Sequence, residues 1–184
     1  MPDNSPTPPP RPITARAAEN GLRIGGYLCV LVLATGLASV FPASALVVWG
    51  GSIGLPFYLY RLLSRSHSTD VRPGLPELWA EGIASFFLGS LLPALLTYVL
   101  LRFVAPGFIA GTFAEAAVAF ESLGTPQGDH WAEVMRDLLE SKRIPTAADA
   151  AAQLISFNII AGTALSLPAA LIVKLRHSLR VMRR

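Results

Sequence analysis

The chain has one cysteine, three histidines and few charges: Lys, Arg, Asp and Glu make up only 15% of its 184 residues. The single Cys29 sits inside an apolar run, so no disulfide forms within the chain and no cysteine-based zinc site exists. An ordinary soluble domain is about 25% charged. Here hydrophobic residues reach 52% and the mean hydropathy is +0.50, a composition suited to lipid. The pI of about 9.4 raises the question of nucleic acid. The Lys and Arg residues lie beside apolar runs, however, and form no patch interleaved with aromatics, which excludes that class of partner.

What is present is a set of four long apolar segments. A helix crosses a bilayer core with roughly 20 residues, and such runs occur at about 24–40, 45–63, 78–104 and 151–173. The expected fold is all-α: a polytopic membrane protein with four transmembrane helices and an extracytoplasmic amphipathic helical hairpin between the third and fourth. The expected organisation is a disordered Pro-rich cytoplasmic tail over 1–22 and transmembrane helices 1–3 over 23–104. The hairpin follows over 105–145, the fourth transmembrane helix over 146–176, and a basic cytoplasmic tail over 177–184. A secretory signal competes for the first run, since Arg11, Arg16 and Arg23 precede it and Ala43-Ser44-Ala45 has the form of a cleavage site. That site leads straight into a second span, which favours a retained helix.

Direction follows from the basic residues, because an Arg or Lys at the bilayer centre costs about 2.5–3.5 kcal/mol on insertion scales. Arg11, Arg16 and Arg23 precede the first span, Arg61, Arg65 and Arg72 lie between the second and third, and Lys174, Arg176, Arg180, Arg183 and Arg184 follow the fourth. Four alternating spans put all three clusters on one side, expected to be cytoplasmic, with both termini there. The connection between the third and fourth spans carries the acids Glu115, Glu121, Asp129, Glu133, Asp137, Glu140 and Asp149 and belongs outside. The implied location is a membrane, crossed several times, and the first partner is the lipid bilayer.

Within that connection, Ile109, Phe113, Ala116, Phe120 and Leu123 fall on one helical face, and Trp131, Val134, Met135, Leu138 and Leu139 share a face of a second helix. Asp129 is the expected N-cap of that second helix and Gly124 to Gly128 the turn before it. Pro106-Gly107 should end the third span, and Thr146-Ala147-Ala148-Asp149 has the form of a capping box opening the fourth. Ile109, Phe113, Phe120, Trp131, Met135 and Leu138 are therefore the candidate interfacial or partner-binding surface.

Motifs that resemble chemistry have blander readings. Gly50-Gly51-Ser52-Ile53-Gly54 matches the nucleophile-elbow pattern, which needs a strand-turn-helix and a nearby histidine. This match lies in an apolar helix, and no span contains a histidine. His130 and Glu133 lie three apart on a helix, but zinc takes three or four protein ligands. His67 and His177 are expected on the other side of the membrane. No catalytic, cofactor-binding or metal site is expected, nor a small-molecule ligand that the residues identify.

Small and polar residues instead mark close helix packing: Gly50 with Gly54, and Asn158, Gly162 and Ser166 in the fourth span. The favoured function is a non-enzymatic membrane component that self-associates or binds another membrane protein, through these faces and the outer hairpin. The competing reading is a small oligomeric transporter or channel with helices kinked at Pro56, Pro93 and Pro168. The middle of each span lacks the ionisable groups that ion-coupled carriers keep there.

The order of parts also resembles a bacterial membrane family, domain-of-unknown-function family 4199. The likeness rests on Gly25-Gly26 and Gly50-Gly51 in the first pair of spans, Val104-Ala105-Pro106-Gly107-Phe108 at the end of the third, the acidic insert from Glu115 to Asp149, and Asn158 early in the fourth. It implies a bacterial inner-membrane protein of four helices. It carries over no activity and no catalytic residue.

Overall fold

The computed structural model describes residues 12–38, 41–66, 74–141 and 143–182. Among these, every regular element is helical: α1 (Ile13–Leu37), α2 (Ser44–Ser66), α3 (Leu75–Val99, continued by a π turn over Leu100–Val104), α4 (Phe108–Glu121), α5 (Pro126–Glu140) and α6 (Ala147–Met182). Four stretches are long and apolar enough to cross a membrane: Ile13–Leu37, Ser44–Arg65, Leu75–Val104 and Ala147–Arg176. At 1.5 Å per residue, a 22-residue helix is about 33 Å long, enough for a hydrocarbon core of about 30 Å.

Local chemistry sets the boundaries. Pro12 stands immediately before α1 in an extended conformation, with φ −61° and ψ 149°. The third span stops where Ala105 precedes Pro106, a position at which the proline ring disfavours helical backbone. Ala105 accordingly adopts φ −136°, and its N–H reaches back to the Leu100 carbonyl at 2.8 Å, closing the wide turn. The capping box at the start of α6 forms as expected. The Thr146 N–H donates to Asp149 Oδ2 at 2.9 Å, and the Asp149 N–H donates to Thr146 Oγ1 at 3.2 Å.

Other boundaries differ from expectation. Residues 13–22, expected in the tail, form the first turns of α1, and α6 runs to Met182 through most of the expected basic tail. Residues 1–11, Arg72, His67, Lys142 and the final two arginines lie outside the described residues. The N-cap of α5 is Thr125 rather than Asp129: its hydroxyl accepts from the Gly128 N–H at 3.1 Å, with Pro126 as the first helical residue. Proline supplies φ for the first turn without an N–H to satisfy, so the helix starts four residues earlier than the acid suggested. Gly124 makes the turn, at φ +59°.

The chain divides into two compact units, one of Met1–Pro93 with Ser156–Arg184 and one of Ala94–Ile155. The core of the first joins Ile24 and Leu28 of α1, Leu59, Leu62 and Leu63 of α2, Leu78 and Phe86 of α3, and Ala169, Ala170 and Val173 of α6. Large apolar side chains also stand on its outer surface, with Trp49 71% and Phe57 72% exposed. In the second unit α4 and α5 pack on each other through small residues: Ala117, Gly128 and Ala132 are buried, and the Gly128 Cα lies against the Phe120 carbonyl. Arg136 of α5 pairs with Glu121 of α4 at the exposed edge.

Candidate functional site

The most concentrated polar chemistry is a cluster between the beginnings of α1 and α3. Arg16 and Asn20 lie one turn apart on α1, and Glu77 and Glu81 repeat that spacing on α3, so each pair projects from a single face. The two faces meet. Arg16 Nη2 donates to Glu77 Oε1 at 2.9 Å, Arg16 Nε lies 3.4 Å from Glu81 Oε2, and Asn20 Nδ2 donates to Glu81 Oε1 at 3.0 Å. Glu81 is fully buried and Asn20 nearly so. One turn further along α3, the Ser85 hydroxyl donates to the Glu81 carbonyl at 2.7 Å.

Removing a carboxylate from water costs several kcal/mol, which pairing and hydrogen bonds must offset. The cluster supplies both. An ionisable group inside an apolar helix bundle is a functional candidate in its own right. The arrangement pairs and orients charge: Glu81 accepts from Asn20 and lies beside the Arg16 guanidinium. Among the described residues, no group of three or more His, Cys, Asp or Glu converges as a metal site would require.

The residues expected to mediate packing fall into two groups. Gly54 lies against Tyr27 of α1, whose hydroxyl donates to the Gly51 carbonyl at 2.7 Å. Gly162 of α6 abuts the Phe86 ring, Ser166 abuts Gly82, and Asn158 is buried. These positions hold this chain's own helices together. Gly50 instead faces open space, beside exposed Leu46, Trp49 and Ile53. A close backbone-to-backbone approach of α1 and α3 pairs residues not matched in the sequence: a Cβ on Gly25 would lie 2.8 Å from the Gly89 carbonyl oxygen, and one on Gly89 would lie 2.9 Å from that of Gly21. Along α6, the Trp79 indole N–H donates to the Thr163 carbonyl at 3.3 Å, whereas the buried Ser166 hydroxyl has no hydrogen-bond partner among the described residues.

On the surface expected to face lipid or a partner, Ile109, Phe113, Phe120, Met135 and Leu138 are half-buried, while Trp131 is 50% exposed. Trp131 sits beside His130 with ring centroids 6.0 Å apart. The inward faces of α4 and α5 thus belong to their mutual contact, and Val118, Leu123 and Trp131 provide the exposed apolar groups. Ser52, the serine of the elbow-like motif, donates to the Val48 carbonyl at 2.7 Å as an ordinary helical residue.

Sequence reasoning missed the Arg16–Asn20–Glu77–Glu81 cluster. In the sequence, Arg16 reads as part of a flank whose charges set orientation. The available signal was the matched four-residue spacing of opposite charge, together with Ala17, Gly21, Ile24 and Leu28, which continue the buried stripe of α1 back beyond the apolar run. No family model matches this chain, and no curated protein and no solved structure matches it.

Proposed function

We propose that this chain is a multi-pass protein of a bacterial cytoplasmic membrane, both termini cytoplasmic, in which α4 and α5 form an extracytoplasmic amphipathic hairpin. In this reading it is a non-enzymatic membrane component, and its association with a second copy or another membrane protein runs through that hairpin. The supporting observation is the use already made of the other candidate surface. Gly54, Gly162 and Ser166 are occupied by contacts within the chain, with Gly50 of that set facing open space, whereas Val118, Leu123 and Trp131 stand exposed among the acids of α4 and α5. The resemblance to family 4199 supports the bacterial assignment alone.

Photocrosslinking groups placed at positions 118 and 131 should give discrete adducts of higher mass in native membranes, while one at 162 should not. Monomer alone at every expression level, from all three positions, removes the association reading. Cysteine labelling on a Cys29→Ser background tests the sidedness: position 129 should react with an impermeant reagent from outside, and position 65 only after lysis.

One observation favours a second reading, a small oligomeric transporter or channel: the buried Glu81 with Arg16 and Asn20, of the kind that lines ion and substrate paths. Vesicles containing the protein would then show a solute or ion flux that Glu81→Gln reduces at least tenfold. Flux indistinguishable from empty vesicles across a broad panel eliminates this alternative.

A further inference from the structure

The C-terminal parts of α2 and α6 lie side by side. Leu59, Leu62 and Leu63 share the core with Ala169, Ala170 and Val173, and Arg176 Nη1 donates to the Tyr60 hydroxyl at 2.6 Å. Arg176 is exposed at this seam, Arg61 and Arg65 are exposed on the same stretch of α2, and none of the three forms an ion pair among the described residues. No Asp or Glu occurs in α2, or in α6 after Asp149. At the start of α3, Glu77 and Glu81 face Arg16. Positive charge is therefore concentrated here without a neutralising carboxylate on either helix.

Each of two cations also has an exposed apolar side chain one helical turn before it: Phe57 before Arg61, and Ile172 before Arg176. Residues four apart lie on one helix face, so both helices present an apolar bed leading to a guanidinium. Tyr60 holds Arg176 across the seam, which preorganises its remaining donors; arginine is suited to planar, two-point recognition of phosphate. A free anion would use the cations alone, whereas a molecule with a charged head and a hydrocarbon tail uses both parts. Basic recesses between transmembrane helices bind lipid headgroups in the same manner.

We propose that the α2–α6 seam binds one anionic phospholipid, with its phosphate at the Arg176 guanidinium that Tyr60 holds, an acyl chain along Ile172, and Arg61 and Arg65 adding positive potential. Native mass spectrometry of the full chain in detergent, titrated with dioleoyl phosphatidylglycerol or dioleoyl phosphatidylcholine, tests this. The phosphatidylglycerol should bind about tenfold more tightly, and Arg176→Gln should weaken it about five- to tenfold. Tyr60→Phe, which keeps every charge, should weaken it about twofold to threefold by releasing Arg176. Lys174→Gln is the matched control: it removes the same charge about 160° around α6 from Arg176, and should change binding less than twofold. Equal affinity for the two lipids overturns the proposal. So do equal losses in the Arg176 and Lys174 variants, which would mean diffuse attraction. Displacement of phosphatidylglycerol by equimolar inorganic phosphate also overturns it, because recognition would then reside in the anion alone.

Discussion

In the unit containing α1 and α2, Glu81 is fully buried while Trp49 and Phe57 stand outside; in the unit containing α4 and α5, Glu133, Asp137 and Glu140 are exposed while Ala117 and Ala132 are buried. Carboxylates are placed in opposite ways, inside in the first unit and outside in the second, although Val118, Leu123 and Trp131 keep part of the second unit's surface apolar. Burial of apolar area drives folding only against water. Where the surroundings are hydrocarbon, apolar side chains gain little by facing inward, and packing, hydrogen bonds and paired charge hold helices together. The α4–α5 pair follows the arrangement of a water-exposed helical element. The contrast is the one expected if two solvents act on one chain, as the proposed topology requires, and it can be tested by substitutions that have different consequences in each.

The largest effect is expected at Glu81. Glu81→Ala removes the acceptor for Asn20 and the carboxylate beside Arg16, and breaking a buried pair from one side costs about 3–5 kcal/mol. Thermal unfolding in detergent should show the loss, whereas Glu133→Ala, on exposed α5, should change stability by no more than about 0.5 kcal/mol. The double change Arg16→Met with Glu81→Leu should recover part of the stability, because no fully buried charge of this pair is then left unmatched and only the partly exposed Glu77 loses its arginine. If Glu81→Ala and Glu133→Ala unfold alike, the contrast between the two units fails.

Next in size is helix packing. Gly89→Ala drives a methyl into the Gly21 carbonyl, and Gly25→Ala into that of Gly89; both obstacles are backbone that cannot rotate away. Each change should cost about 1–3 kcal/mol. Gly26 neighbours Gly25 but faces open space, so Gly26→Ala should be neutral or stabilising by up to about 1 kcal/mol. Unfolding midpoints of the three variants, measured together, check the contrast. Equal shifts for Gly25 and Gly26 would falsify the close α1–α3 contact.

This pair of glycines shows what was legible in the chain. Hydropathy located the four long helices because runs such as 78–104 contain about the number of apolar residues a bilayer demands. Local stereochemistry located the break at Pro106 and the Thr146–Asp149 cap. Pairing was harder to read, because a glycine on α1 carries no mark of the distant glycine that it meets. Gly21 and Gly25 were visible as a small-residue pair, yet their partner is Gly89, more than 60 residues away. The Arg16 cluster escaped for a related reason. Its charges resembled the polar flank that determines orientation, and only the structure brings Glu81 to them. On α5, acidity at Asp129 suggested a cap, but the preceding Thr125-Pro126 has better stereochemistry for a start.

A smaller loss is expected at that start. Thr125→Ala removes the hydroxyl that accepts from the Gly128 N–H and should cost about 1 kcal/mol. The effect should be local to α4 and α5. Amide exchange should rise across Pro126–Glu140 and stay unchanged in α1 and α2. Faster exchange in α1 would show that the two units do not unfold separately, and would weaken the distinction between their surroundings.

The finest test compares the two ion pairs directly. Arg136 and Glu121 join α5 to α4 with both side chains about half exposed, at 52% and 53%, while Arg16 meets a Glu81 that is fully buried. Exposed pairs contribute about 0.2–1 kcal/mol, and salt screens them over a Debye length of about 8 Å at physiological ionic strength. A double-mutant cycle on Arg136 and Glu121 should therefore give a coupling within that range, falling as sodium chloride rises from 0.05 to about 1 M. The same cycle on Arg16 and Glu81 should give a larger coupling that changes little with salt, since mobile ions have no access to a fully buried carboxylate. Because each cycle removes the same two charge types, the difference isolates the surroundings of the pair. Couplings of equal size and equal salt dependence would mean that Glu81 is reached by solvent ions, and the α1–α3 cluster would then have to be reinterpreted as lining an aqueous path.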